Sequence, residues 1–264
     1  MPYIYLKLIV AVIVLLGGLW LLFKPDRDAE TTKEYYTAEE AESFTDNAAA
    51  AFGEDLMVFH ERISPEVHID ILVFEPTEQC PFHTACTMGV GAHCMPVLQE
   101  EWEKEIPEGA PERALLFPGC DRVELMLYLP ADWRPLWMDE TATEEAKQRS
   151  FWPIKLLKDA ARFMVNNDTW FAFGHTYAQE ERAPFAQGTP YCAAVLLSPL
   201  PDCLRPGFTL RAGEKEVSVL QVLPLTAEEH DAAMEGTSRT WLHNTLPADT
   251  EGMQDFLKER LQRM

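Results

Sequence analysis

Residues 3 to 23, YIYLKLIVAVIVLLGGLWLLF, form an apolar run interrupted only by Lys7, and no other feature restricts the fold of this chain as strongly. As a helix rising 1.5 Å per residue the run would span about 31 Å, the thickness of a bilayer core. It ends in Leu21, Leu22, Phe23 and Lys24 with no small-x-small cleavage site and no lipobox cysteine. A single-pass, uncleaved anchor over residues 1–24 is therefore expected, rather than a signal peptide. Lys7 can snorkel from one end, and Tyr3, Tyr5 and Trp20 stand where interface aromatics belong. Lys7 and the amino terminus nearly balance Lys24, Arg27 and Lys33 on the other flank, and the expectation leans to a cytoplasmic domain.

The rest of the chain has the make-up of a globular protein. With 264 residues, 47% of them hydrophobic, it can build a core without a metal or a disulfide framework. Its 43 acidic residues against 22 basic ones give a net charge of -21. That balance excludes nucleic acid as a partner, because such binding rests on neutralising phosphates with Lys and Arg. It would instead draw a basic protein. Residues 25–42 are polar and read as a tether, so the domain is expected over 43–264.

Within that domain, SFTDNAAAAFGEDLMVFHERI has helical apolar spacing, with Thr45 or Asp46 as cap and Phe52, Leu56 and Phe59 on one stripe. EVHIDILVFEP alternates Val67, Ile69, Ile71 and Val73 against His68, Asp70, Leu72 and Phe74, which is the pattern of a sheet strand. Further strands are expected at FHTACTM, RVELMLYLP, TWFAFGHTY, YCAAVLLSPL and EVSVLQVLPL, each closed by Pro or Gly. FWPIKLLKDAARFMVNN reads as a helix capped by Ser150 with Pro153 in its first turn. Thr226 and Glu229 form a capping-box pattern, and MQDFLKERLQRM is an amphipathic closing helix. Strands and helices mix without strict alternation, so the expected fold is α+β: a mixed β-sheet sandwich with packed helices, preceded by one transmembrane helix.

Several stretches in order resemble the suppressor of fused domain family: HIDILVFEPTEQCPFHTACTMGVGAHCMPV, VELMLYLPADW, WPIKLLKDAARF, TWFAFGHTY, LLSPL and VLQVLPLTAEE. The positions that carry the resemblance are His68, Asp70, Pro76, Thr77, Thr87, Gly89, Met95, Glu124, Trp152, Pro153, Gly174, His175 and Thr176. The resemblance implies an α/β sandwich with no known catalytic activity that works by binding protein. The animal member restrains a zinc-finger transcription factor, and many bacterial members are read as immunity proteins that neutralise toxins. A single family domain behind an anchor is similar to the bacterial type. It implies a partner such as a basic toxin domain, no cofactor and no small-molecule substrate.

Two other chemistries compete. His68, Asp70 and His175 are polar groups in apolar strands and would be the catalytic set of a hydrolase or other enzyme; their bland reading is a buried hydrogen-bond network. No Gly-x-Ser-x-Gly elbow, His-Glu-x-x-His helix or Cys-x-x-Cys pair accompanies them. CPFHTACTMGVGAHC, residues 80–94, would serve a thiol or metal sensor. On a strand, however, His83 and Cys86 point to opposite faces, and Cys80 and Cys86 stand about 20 Å apart. A bound metal is thus not expected, since structural zinc wants four converging ligands. A tight turn at Val90 between Gly89 and Gly91 would set Cys86 opposite Cys94, which makes that pair the candidate disulfide. Trp152, Trp170 and Phe173 are expected in the core, and Glu124 as a paired structural carboxylate.

Overall fold

A computed structural model describes residues 35–64, 67–96 and 121–264. The expected anchor at 3–23, most of the tether, the acidic stretch at 99–112 and Cys120 lie outside the described residues. Among the described residues no helix is long and apolar enough to cross a membrane.

The chain enters through helix α1, Ala38–Phe52, whose N-terminus carries a full capping box between Thr37 and Glu40. This corrects the expected helix over 43–63: Thr45 lies inside α1 and donates to Ala41 O, and Gly53 at φ 109° ends the helix. Beyond that stop, Asp55–Phe59 becomes strand β1, because its antiparallel partner β2, Asp70–Phe74, is available to pair with it. Helical spacing of Phe52, Leu56 and Phe59 could not register that competition.

β3 (His83–Met88) pairs antiparallel with β2 and with β4 (Val123–Leu129), and β4 runs parallel to the long β8 (Lys215–Thr226). β6 (Tyr191–Leu197) follows antiparallel, and the short β5 (Thr176–Ala178) ends the order β1-β2-β3-β4-β8-β6-β5, with β7 (Thr209–Ala212) paired to β8. The expected sandwich is therefore one mixed eight-stranded sheet between helical layers, not two stacked sheets. Only Thr176 and Tyr177 of the strand expected at TWFAFGHTY are extended in the sheet, and β7 lies in no stretch read as a strand.

Both faces of the sheet are covered. Leu72 and Phe74 of β2, Met126 of β4 and Val195 of β6 face α1 together with the C-terminal helices α4 (Ser238–Thr245) and α5 (Thr250–Leu261). Ile71, Val73, Leu125, Leu127 and Leu196 face α2, Glu144–Asn166, through Trp152, Leu156, Leu157 and Met164. The period-two alternation thus feeds two cores at once. Helix α2 begins earlier than expected, at the Thr143 cap; Ser150 lies within it, where its hydroxyl donates to Arg134 O and accepts from Leu136 N. Pro153 consequently sits in the helix interior, where its lack of an N–H costs one helical hydrogen bond.

Helix α3, Ala227–Met234, has the expected Thr226–Glu229 capping box. Glu229 also binds the buried Arg260 of α5, at 3.0 Å from Nη1 to Oε2, and the guanidinium lies 4.8 Å from the Phe256 ring centroid. Arg260→Ala should leave Glu229 with only the Thr226 N–H as donor, remove the Nη1 donor to the Pro224 carbonyl, and lower stability by about 2–4 kcal/mol in denaturant unfolding.

Candidate functional site

Three polar assemblies gather the family-motif residues. The first is centred on Glu124 of β4, which is fully buried. Its Oε2 accepts from Thr87 Oγ1 at 2.5 Å, and its Oε1 accepts from Gly89 N at 2.8 Å and Gly91 N at 2.9 Å. Thr87 Oγ1 in turn accepts from Leu125 N at 2.8 Å. The turn has to be built of glycine: Gly89 takes φ 122°, where a Cβ would overlap the His68 carbonyl, and a Cβ on Gly91 would strike Tyr36 Oη. Burial pushes the Glu124 carboxyl up from its ordinary value, against the hydrogen bonds from Thr87, Gly91 and Gly89 that favour its charged form.

The second assembly is a clasp on Asp70, at the start of β2. Asp70 Oδ1 accepts from Glu61 N at 2.8 Å and meets His68 Nε2 at 2.9 Å, while Oδ2 meets His60 Nδ1 at 2.8 Å. His68 Nδ1 continues the chain to Ser64 Oγ at 2.7 Å. Glu61 accepts from Ile69 N and pairs with Arg162 and Lys158 of α2, so the clasp fastens the β1–β2 connection to that helix.

The third is an open groove of about 660 Å³ lined by Gly174, His175 and Thr176 together with Phe163, Met234 and Arg239. Gly174, at φ 85°, accepts from Ser238 Oγ, and Arg239 Nε donates to Phe173 O at 3.2 Å, which fixes α4 as one wall. The His175 ring stands edge-on to Trp170, 4.5 Å between centroids. β5 ends the sheet order, so its outer edge pairs with no strand among the described residues. Phe163 (44% exposed) and Met234 (58% exposed) present apolar surface beside that edge.

The proposed catalytic trio is not assembled. His68 and Asp70 meet, but β2 and β5 are five inter-strand spacings apart, which places His175 about 24 Å away across the sheet. Ser64 and His60, which sequence reading passed over, complete the Asp70 clasp; they lie in a connection with no periodic signal. The remaining motif positions are structural. Pro76 precedes Thr77, whose N–H donates to Cys80 O at 2.8 Å and so closes the β2–β3 turn. Met95 is buried, with Sδ 3.4 Å from Phe171 N, and Trp152 stacks on Phe185 in the core. Phe173 is buried too, and Trp170 is half-buried, packed against the core under α2 while it lines the groove.

The cysteine segment forms no cluster. Val90–Ala92 is a 3-10 turn instead of a two-stranded one, and Cys86, in register with Leu72 and Met126, does not face Cys94, whose Sγ lies 3.2 Å from Asp121 Oδ2. The candidate disulfide is thus not formed. Among the described residues no three His, Cys, Asp or Glu side chains converge as metal ligands.

A sequence model described as "Suppressor of fused protein (SUFU)" matches residues 65–257. The chain belongs to the suppressor of fused family. No curated protein sequence matches it. Among solved structures it is similar to "the Sufu-Fu complex crystal structure", at TM-score 0.53 and 13% identity over 85% of this chain and 91% of that one. A second similar structure is the suppressor-of-fused homologue of Neisseria gonorrhoeae FA 1090, at TM-score 0.46 and 13% identity, covering 79% of this chain and 88% of that one. At these identities the likeness concerns the fold, and the mixed α+β architecture is that of the family.

The raised Glu124 carboxyl sets a direction for pH dependence. A folded-state value above the unfolded one means that the folded protein holds the extra proton, so this group's contribution is present below the unfolded value and is lost as pH rises through the folded one. Glu124→Gln keeps an acceptor for Gly89 and Gly91 and removes that dependence. Relative to wild type it should gain stability between pH 5 and pH 8 in urea titrations, whereas Glu124→Ala should lose about 3 kcal/mol at both.

Proposed function

We propose that this chain is a non-enzymatic protein-binding domain, anchored in a membrane through residues 3–23 with the domain on the cytoplasmic side, that masks its partner in the manner of an immunity or regulatory protein. The observation that carries this reading is the groove beside the β5 edge. An edge strand offers unpaired main-chain groups, and apolar pockets next to it take alternate side chains of an extended segment. Phe163, Trp170 and Met234 supply such a surface, and Gly174 lets the backbone of the wall come close.

Family membership supports protein binding, as does the fold shared with the protein of the Sufu-Fu complex. The net charge of -21 selects a basic partner, and a basic toxin domain fits both charge and family. With p-benzoylphenylalanine at position 163 or 234 of the full chain, ultraviolet light in the producing cell should join it to one defined basic protein. The same group at position 259, exposed on α5, should not. Phe163→Ala and Met234→Ala should each weaken the captured partner about tenfold, as loss of an anchoring side chain does. Equal capture from all three positions sinks the groove reading, and failure of co-expression to relieve the partner's toxicity sinks the immunity role alone.

Hydrolysis is the second reading, and it now rests on Ser64, His68 and Asp70. If it holds, a fluorophosphonate probe labels the chain and Ser64→Ala abolishes the label; an unlabelled wild-type protein ends it.

A further inference from the structure

At the sheet edge opposite the groove, β1 meets the start of α2 through a cluster of aromatic rings. The Trp137 ring lies 5.1 Å from Phe59, 5.6 Å from Trp133 and 5.1 Å from Phe151, measured between centroids. Trp133 is held in place by its Nε1–H, which donates to Ser150 O at 3.1 Å. Phe59, Trp133 and Trp137 pack their inner sides on the core under α2. The outer side remains in water: Met138 is 69% exposed and Phe151 39%. Core filling accounts for the inner contacts but not for two large apolar side chains turned outward beside two tryptophans.

The rim of this surface is acidic. Asp132 adjoins Trp133, and Asp139 and Glu140 follow Met138. Glu144 and Glu145 in the first turn of α2 are matched by Lys147 and Arg149; Asp132, Asp139 and Glu140 make no ion pair among the described residues, although Asp139 Oδ1 accepts from Thr141 N at 2.8 Å and from Thr141 Oγ1 at 2.7 Å. Arg134 stands among them in the chain, and Lys147 is close enough to act on Asp139. The exposed Phe151 ring and the half-buried tryptophans, with carboxylates beside them in the chain, suit a cationic side chain. Its charge can sit over a ring face and its alkyl stem on Met138, while the carboxylates supply the counter-charge.

We propose that this aromatic surface is a second docking site, which takes an arginine- or lysine-bearing segment of a protein partner. It does not depend on the groove reading, because β1 and β5 lie at opposite ends of the sheet order. It is still near enough for one partner to occupy both. Phe151 and Phe163 are twelve residues apart on α2, about 18 Å along the helix.

The test uses the full chain in detergent micelles and fluorescently labelled N-acetyl-hexa-arginine amide as probe, read by anisotropy at low and at physiological salt. The peptide should bind, and Phe151→Ala with Met138→Ala should weaken it at least fivefold with every charge left in place. Asp139→Asn with Glu140→Gln should weaken it at least threefold. Glu259→Gln, exposed on α5 and part of neither surface, should leave it unchanged. Binding that falls only with the charge changes and ignores the loss of Phe151 and Met138 marks diffuse attraction to an acidic protein and overturns the proposal. So does an absence of binding at low salt. A dimer in sedimentation velocity that Phe151→Ala dissolves would assign the surface to a second copy of the chain and likewise overturn it.

Discussion

The architecture turns on a carboxylate held out of water. Glu124 is carried into the middle of the sheet by β4, and burying it would be prohibitive without donors to receive it. Thr87 at the end of β3 and the N–H groups of Gly89 and Gly91 supply those donors, so the strand, the turn and the carboxylate are set relative to one another. Arg122 adds a bond from Nη1 to the Gly91 carbonyl at 3.0 Å, and Tyr36 packs against the same glycine just before α1 begins. Gly89, Gly91 and Thr87 together satisfy Glu124, and at the two glycines a Cβ would not fit.

Around that knot both faces of the sheet are covered, and its end strands β1 and β5 pair with no further strand among the described residues. α1, α4 and α5 cover one face and α2 the other. At one end, Gly174 to Thr176 border a groove lined by both polar and apolar side chains; at the other, the half-buried Trp133 and Trp137 pack together. The Asp70 clasp lies between these and works inward, tying the β1–β2 connection to α2 through Glu61 and Arg162. Its histidines, His60 and His68, both meet the Asp70 carboxylate.

The sheet was legible where a strand is buried on both faces, as in VELMLYL and YCAAVLL, because continuous apolar runs closed by Pro have few other uses. It was illegible at Asp55–Phe59, where spacing suits a helix and strand pairing with β2 decides otherwise. The groove was half legible: Gly174, His175 and Thr176 stood out, but Phe163 and Met234 belong to helices that meet them only in three dimensions. Ser64 and His60 carried no signal, since a loop residue has no period to betray it. The cysteines gave a false one, because closeness along the chain says nothing of direction once a strand alternates and a turn winds into a 3-10 helix.

Amino-acid order by itself determined the family, the acidic charge, the mixed α+β class and the capping box of Thr226 with Glu229, all of which depend on local chemistry or on composition. Tertiary structure alone decided that His68 and Asp70 close a clasp far from His175, that Cys86 faces Leu72 and Met126, and that α2 and α4 wall a groove at a free sheet edge. The reason is physical: hydrogen bonds across a sheet and contacts between helices join residues distant in sequence, and their free energy overrides local preference wherever the two disagree.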